Sequence, residues 1–360
     1  MRGTFTIASA FKIPIKIHWS FSLLIAFLAF TLWSDQVSFV RGMWFAGYVA
    51  CLFICVVLHE YGHALMAKKY GIKTKDIIIS PIGGVARLEK LPESPKQEMI
   101  VAIAGPLVNV VIALLAFVLV LFFGYTKIGI PEDPFTEAMN WQHFTLNVAI
   151  INMVLFWFNL IPAFPMDGGR ILRSALSMKW GKVKATQYAS VIGRVLSLVF
   201  VAAAFLGNYY TLGLIGVFIF FSATAENKSV KTIAKLEEFS VSDVMRKNFT
   251  RLHIADLYQI PMDLHKRNIE SNFLIFDSLG YIAGCIPELF VLEAIKNSAE
   301  NAQVTTLKSS AFGVVDSNIT LRALYEKMAK EGLAIVAIME GENIIGVIDQ
   351  KTFANLFNTL

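Results

Sequence analysis

Apolar residues in the first two thirds of this chain come in long unbroken runs, without the three-to-four spacing of a surface helix. Runs of bilayer-spanning length, about 17–25 residues each, stand at about 17–34, 43–67, 99–123, 142–166, 188–206 and 209–225. Six membrane spans are predicted. Between the second and third, Asp76 to Glu89 forms two short β-prone runs around a Pro81/Gly83/Gly84 turn, which predicts a β-hairpin lying on or dipping into the membrane. From about Phe239 the pattern changes to short apolar strands, polar turns and amphipathic helices. Self-similarity at an offset of 62 pairs Phe273-Leu-Ile-Phe276 with Ile335-Val-Ala-Ile338, and Ile282-Ala-Gly-Cys-Ile286 with Ile344-Ile-Gly-Val-Ile348. Each copy ends in a predicted helix, 288–299 or 351–360. The expected fold is an α-helical polytopic membrane domain, with six spans and a hairpin after the second, followed by a soluble α/β pair of repeats. Its boundaries are 1–230 for the membrane domain, 231–238 for a linker, and 239–300 and 301–360 for the repeats.

Composition agrees with this division. The chain is 56% apolar and 16% charged, against about 45–50% and about 25% for a soluble domain. Residues 1–230 carry 30 charged side chains and residues 231–360 carry 29, so charge density nearly doubles at the boundary. The net charge of +5 concentrates in loops between apolar runs, where it specifies topology; no nucleic-acid partner is indicated. With the N-terminus inside, 16 Lys and Arg of the first 230 residues face the cytoplasm, against only Arg41 and Lys127 on the other side. Both termini of this multi-pass cell-membrane protein are expected to be cytoplasmic. The first apolar stretch, Trp19 to Trp33, leads on to further spans without a small-residue cleavage site and is expected to be retained as an anchor. Arg194 interrupts the fifth run and is expected to snorkel. Three cysteines, two of them a turn apart inside a span, exclude a disulfide framework.

An ionised carboxylate in a membrane helix costs about 2.5–3.5 kcal/mol even on insertion-based scales, so such residues are candidates for function. Of the eleven acids in residues 1–230, Glu60 and Asp167 fall within predicted spans. Glu60 belongs to His59-Glu-Tyr-Gly-His63. Histidines at i and i+4 share a helical face and can reach one zinc ion, while the glutamate contacts water on the metal. A catalytic zinc takes three protein ligands, and Asp167 is the natural third. It follows Asn159-Leu-Ile-Pro-Ala-Phe-Pro-Met, where two prolines interrupt the span. His59 lies about 13–14 Å along its helix from Lys68, and Asp167 closely precedes Arg170, so both approach the cytoplasmic side. Cys55, one turn before His59, is a further candidate ligand, but a buried cysteine is usually packing. His18 and His143 sit at span edges, and His253 and His265 belong to the soluble part.

These residues resemble the intramembrane zinc metalloproteases of the site-2 protease family. The resemblance covers about 20–230 and rests on the H-E-x-x-H in the second span, Gly83-Gly84 in the hairpin, Ala104-Gly-Pro-Leu-Val-Asn109 in the third span, and the Asn159 to Asp167 motif in the fourth. The paired tail modules look like cystathionine-β-synthase (CBS) repeats, which points to the six-span branch with a CBS pair. The resemblance implies cleavage of a peptide bond in or near the transmembrane helix of a single-span membrane protein, within the lipid bilayer, by one zinc ion per chain. It also supports substrate binding by Asn109 and Asn159, either of which is a candidate oxyanion donor or an ordinary interhelical hydrogen bond, and strand-wise substrate binding at Gly83 and Gly84. In nucleotide-binding CBS repeats an Asp follows the last strand and serves the ribose. Neither Gly284-Cys-Ile-Pro-Glu-Leu-Phe290 nor Gly346-Val-Ile-Asp-Gln-Lys-Thr352 has it at that place, so tight binding of an adenine nucleotide is not expected, and homodimerisation or substrate docking are equal contenders for the tail. The rival reading is a CBS-regulated metal or ion transporter or channel, which needs a polar path to both faces. A catalytically dead scaffold is opposed by the intact His59/Glu60/His63/Asp167 set.

Overall fold

The computed structural model describes residues 3–81, 83–90, 92, 94–122, 141–305 and 308–358. Lys127, expected on the outer side, and the last residue of the 99–123 run lie outside the described residues. Two compact units divide the chain, Met1–Lys228 and Ser229–Leu360.

The first unit opens with a strand pair not expected from the sequence, β1 (Thr4–Ala10) and β2 (Ile13–His18). Helices α1 (Phe21–Ser34) and α2 (Phe39–Lys69) follow, then β3 (Thr74–Ser80) and β4 (Gly83–Leu88), the expected hairpin. The two hairpins join into one sheet of order β1-β2-β3-β4, with β2 parallel to β3. Central β3 buries Ile77, Ile78 and Ile79. Ile77 and Ile79, with Ile13 and Ile15, pack on Tyr61 and Ala64 of α2, so the sheet lies against the helix that carries H-E-x-x-H. Asp76, buried in the same sheet, takes hydrogen bonds from Lys16 at 2.7 Å and from Arg87 at 2.5 Å.

The remaining helices are α3 (Pro95–Phe122), α4 (Trp141–Asn159), α5 (Asp167–Gly207) and α6 (Tyr210–Glu238). α3 packs against α2, α4 and α5. Among the described residues, α2, α3 and α5 are long and apolar enough to cross a membrane; α1, with 14 residues, reaches about 21 Å. Leu114, Leu115, Val118 and Leu121 of α3 and Val195, Leu198 and Val199 of α5 are exposed, an outward apolar surface that lipid would solvate. Three expectations are corrected. Asp167 does not lie on the fourth span: α4 stops at Asn159, Pro162 and Pro165 prevent its continuation, and Asp167 is the first residue of α5. Residues 170–184, expected as a loop before a span at 188–206, are helical, broken only at Gly181 with φ 74° and ψ 162°. Residues 231–238, expected as a linker, continue α6.

In the second unit the C-terminal part of α6 is followed by the single turn α7 (Val241–Val244). Next come β5 (Arg251–His253), α8 (Gln259–Lys266), β6 (Phe273–Phe276), β7 (Ile282–Ile286) and α9 (Glu288–Lys296). The order repeats as β8 (Phe312–Asp316), α10 (Leu321–Glu331), β9 (Ile335–Glu340), β10 (Asn343–Asp349) and α11 (Gln350–Asn358). Each copy forms a three-stranded sheet with one parallel and one antiparallel pairing. Leu274, Phe276 and Cys285 of the first copy pack on Ile335, Ala337 and Val347 of the second, so the repeated strands share one core.

Candidate metal centre

On α2, His59 and His63 stand one turn apart with ring centroids separated by 4.8 Å, and both are buried. The segment between α4 and α5 delivers Asp167, also buried, against them. Asp167 Oδ2 lies 3.1 Å from Nε2 of each histidine, and the two Nε2 atoms are 3.1 Å apart. The outer ring nitrogens are occupied. His63 Nδ1 donates to the Val101 carbonyl at 2.7 Å, and His59 Nδ1 donates to Asn109 Oδ1 at 3.0 Å. A carbonyl oxygen only accepts, so hydrogen sits on each Nδ1, and in the neutral imidazole, the form that ligates a metal, each Nε2 lone pair faces inward. In that neutral form three electron-pair donors converge with no proton between them, an arrangement that a shared cation stabilises.

The donor set suits zinc. Ligands about 2.0–2.1 Å from a tetrahedral zinc are separated by about 3.3 Å, close to the 3.1 Å edges here. Nδ1–H donation to an oxygen is the usual device that fixes the tautomer of a metal-ligating histidine. The space is also left clear: a Cβ on Gly105 of α3 would lie 2.7 Å from His59 Nε2 and would overlap His63 Nε2. Among the described residues, His59, His63 and Asp167 form a group able to hold a metal ion. Cys55 is apart from it, with its sulfur 3.3 Å from Asn152 Nδ2 as acceptor.

Glu60 points from the same helix turn toward the sheet. Its Oε2 accepts from the Ala86 backbone amide of β4 at 2.7 Å, and Gly84 leaves room for its stem, since a Cβ there would come within 2.9 Å of Glu60 Cγ. A cavity of about 330 Å³ is lined by His59, Glu60, His63 and Asp167 together with Gly83, Gly84, Asn109 and Asn159. All eight residues singled out in the sequence therefore meet at one place. Asn109 is fully buried, and its Nδ2 has no hydrogen-bond partner among the described residues; Asn159 Nδ2 donates to the Leu155 carbonyl at 3.0 Å. Sequence reasoning missed the Val101 carbonyl, the Ala86 amide and Gly105. Only Gly105 carried a signal, as part of the Ala104 to Asn109 motif.

Comparison with known proteins gives the family. Residues 47–203 match the profile of peptidase family M50. A zinc metalloprotease of Methanocaldococcus jannaschii is 35% identical over 349 residues, covering 97% of this chain and 94% of its own length. Among solved structures, a site-2 protease from Methanocaldococcus jannaschii is 35% identical and covers 62% of this chain and 95% of its own, with a TM-score of 0.47. A hemolysin-like protein of Oenococcus oeni containing a CBS domain covers 36% of this chain at 14% identity and a TM-score of 0.31. The transporter reading is not favoured by the family profile or by the zinc metalloprotease relative. A chain that aligns along nearly its whole length with a zinc metalloprotease, and that gathers two histidines, an aspartate and a glutamate in one cavity, belongs to peptidase family M50, the site-2 protease family of intramembrane zinc metalloproteases.

Proposed function

We propose that His59, His63 and Asp167 hold one zinc ion per chain and that Glu60 is the general base and acid for hydrolysis of a peptide bond in or beside a substrate's transmembrane helix. The observation that carries this reading is the convergence of three inward-facing acceptor atoms whose histidines are tied by their outer nitrogens. Zinc bound there supplies Lewis acidity, polarising the scissile carbonyl and lowering the pKa of water toward about 7. Glu60 takes the proton from the attacking water and passes it to the leaving amide nitrogen, its carboxylate steadied by the Ala86 amide. Asn109 supplies a donor to the developing oxyanion through its unpartnered Nδ2, a role it fits better than Asn159, whose amide already serves Leu155.

A substrate helix must unwind before its carbonyl can be attacked. β4 lies at the edge of its sheet and lines the cavity with Gly83 and Gly84, so an extended substrate segment, from a single-span membrane protein, would add along that edge. Six spans, made by α1 and α4 to α6 in addition to α2 and α3, put both termini in the cytoplasm under the charge rule. The tail, 239–300 and 301–360, acts as a CBS pair that governs substrate entry or pairs two copies of the chain, with adenine nucleotide bound weakly or not at all.

Elemental analysis of the purified chain tests the metal assignment. Near-stoichiometric zinc is expected, falling sharply in His63→Ala and Asp167→Ala, while Glu60→Gln keeps the metal but no longer cleaves a model transmembrane substrate. Full zinc in both ligand variants, or cleavage by Glu60→Gln within a few-fold of normal, refutes the corresponding role.

A further inference from the structure

Beside the metal centre lies a buried ion network that the proposed chemistry leaves unused. Arg173, six residues after Asp167 on α5, is 1% exposed. Its Nε donates to Glu98 Oε1 at 2.9 Å, and its terminal nitrogens pair with Glu98 and Glu226. Glu98 is buried in the first turn of α3, whereas Glu226, on α6, keeps 35% of its side chain exposed. The same guanidinium stands 5.1 Å from the centroid of the Phe164 ring. Phe164 is itself buried, packed with Ala189 of α5 and Ala223 of α6. It belongs to the short segment that delivers Asp167, whose backbone is continued by bonds from Met166 N to the Ala163 carbonyl at 3.0 Å and from Gly169 N to the Met166 carbonyl at 3.1 Å.

Burying two charges and part of a third is a poor way merely to tie helices together, because apolar side chains of similar volume usually do so at lower desolvation cost. A guanidinium fork adds direction: it meets its carboxylates in one plane and presents a face on which a ring can lie. We propose that Arg173 is a positioning residue for the metal centre. Clamped by Glu98 and Glu226, it holds Phe164 and thereby the segment that sets Asp167 against the two histidines. Since Glu226 stands on the helix that runs on to Glu238, a movement of α6 would reach Asp167 through two contacts. This inference rests on Asp167 being a zinc ligand.

The test is zinc transfer from the full-length, zinc-loaded protein to a chromogenic chelator, measured beside the thermal midpoint of each variant. Arg173→Lys, which keeps the charge and loses the fork, and Phe164→Leu, which keeps an apolar side chain and loses the ring, are each expected to release zinc about tenfold faster, the lower range for lost outer contacts at metal sites. The double variant should release it no faster than the quicker single one, and Glu226→Gln should show a smaller gain. Ser190→Ala removes a 2.8 Å bond from α5 to the Ala223 carbonyl of α6 without touching the ring, and should lower the midpoint while leaving release unchanged. Release within twofold of normal in both Arg173→Lys and Phe164→Leu overturns the inference. So does release that follows the midpoint across all variants, Ser190→Ala included. If Arg173→Lys does not fold, Phe164→Leu and Glu226→Gln decide by the same limits. Zinc retained by Asp167→Ala removes the ligand assignment and this inference with it; zinc lost there but held normally in the clamp variants removes the inference alone.

Discussion

A single methyl group added at Gly105 tests the metal centre from the side opposite its ligands. In Gly105→Ala the new Cβ would stand 2.7 Å from His59 Nε2 and overlap His63 Nε2, so either α3 or the imidazoles must give way. α3 is held by the Val101 and Asn109 contacts to those same histidines and by Glu98 on Arg173, which leaves the rings to rotate. Rotation breaks two Nδ1 hydrogen bonds, each worth about 0.5–1.5 kcal/mol. Against this, alanine is favoured over glycine in a helix interior by about 0.5–1 kcal/mol. The metal-free variant should therefore stay within about 2.5 kcal/mol of the metal-free normal chain. Zinc binding should suffer far more, because both nitrogen ligands turn from a shared point; a loss of at least about 100-fold, or about 3 kcal/mol, is expected. Thermal unfolding of the purified protein with and without added zinc separates the two effects. Saturating zinc at about 100 times its dissociation constant adds about 2.7 kcal/mol to the normal chain, and that increment should vanish in Gly105→Ala. An equal zinc-induced shift in both proteins would show that the imidazole tips do not face the metal.

Hydrogen bonds from Arg87, joined by Lys16, hold the Asp76 carboxyl down at about 2 from an ordinary 3.8. This contribution of about 2 kcal/mol is complete above about pH 4 and fades as pH falls toward 2; an acid titration of stability should show it, and Arg87→Met should flatten that limb. Burial pushes the Cys285 thiol up to about 11, so native protein at pH 8 should resist alkylation there until unfolded, as peptide mapping would detect. Deleting 239–360 should leave zinc stoichiometry unchanged while altering the rate or choice of cleavage, and calorimetry on the full chain should find no tight ATP or AMP binding.

The sequence carried the chemistry more openly than the architecture. A histidine pair at i and i+4 keeps its meaning wherever the helix lies, and Asp167 was conspicuous because carboxylates are scarce in apolar runs. The helix limits were less legible. Residues 170–184 look like a loop because five of them are Lys or Arg, yet these side chains are good helix formers, and only Gly181 breaks the backbone. The first hairpin was hidden for another reason. Ile13 to Ile17 alternates as a strand should, but what makes it structural is its parallel pairing with Ile77 to Ile79, about sixty residues away and invisible to a local pattern.

The groups that orient the site share a further property that explains why they escaped notice. His63 is aimed by the carbonyl of Val101, Glu60 is steadied by the amide of Ala86, and both imidazoles are admitted by the missing side chain of Gly105. A carbonyl or amide is present at nearly every residue, so residue type cannot announce which one is used. Only the close approach of α2 to α3 and of β4 to α2 selects them. The same logic accounts for Arg173. Its charge is plain in the sequence, but its two carboxylates arrive from positions 75 residues before and 53 residues after it. A charge at the membrane boundary ordinarily implies a solvated anchor; here packing turns it inward, and the cost of its burial is met by partners that only the folded chain brings together.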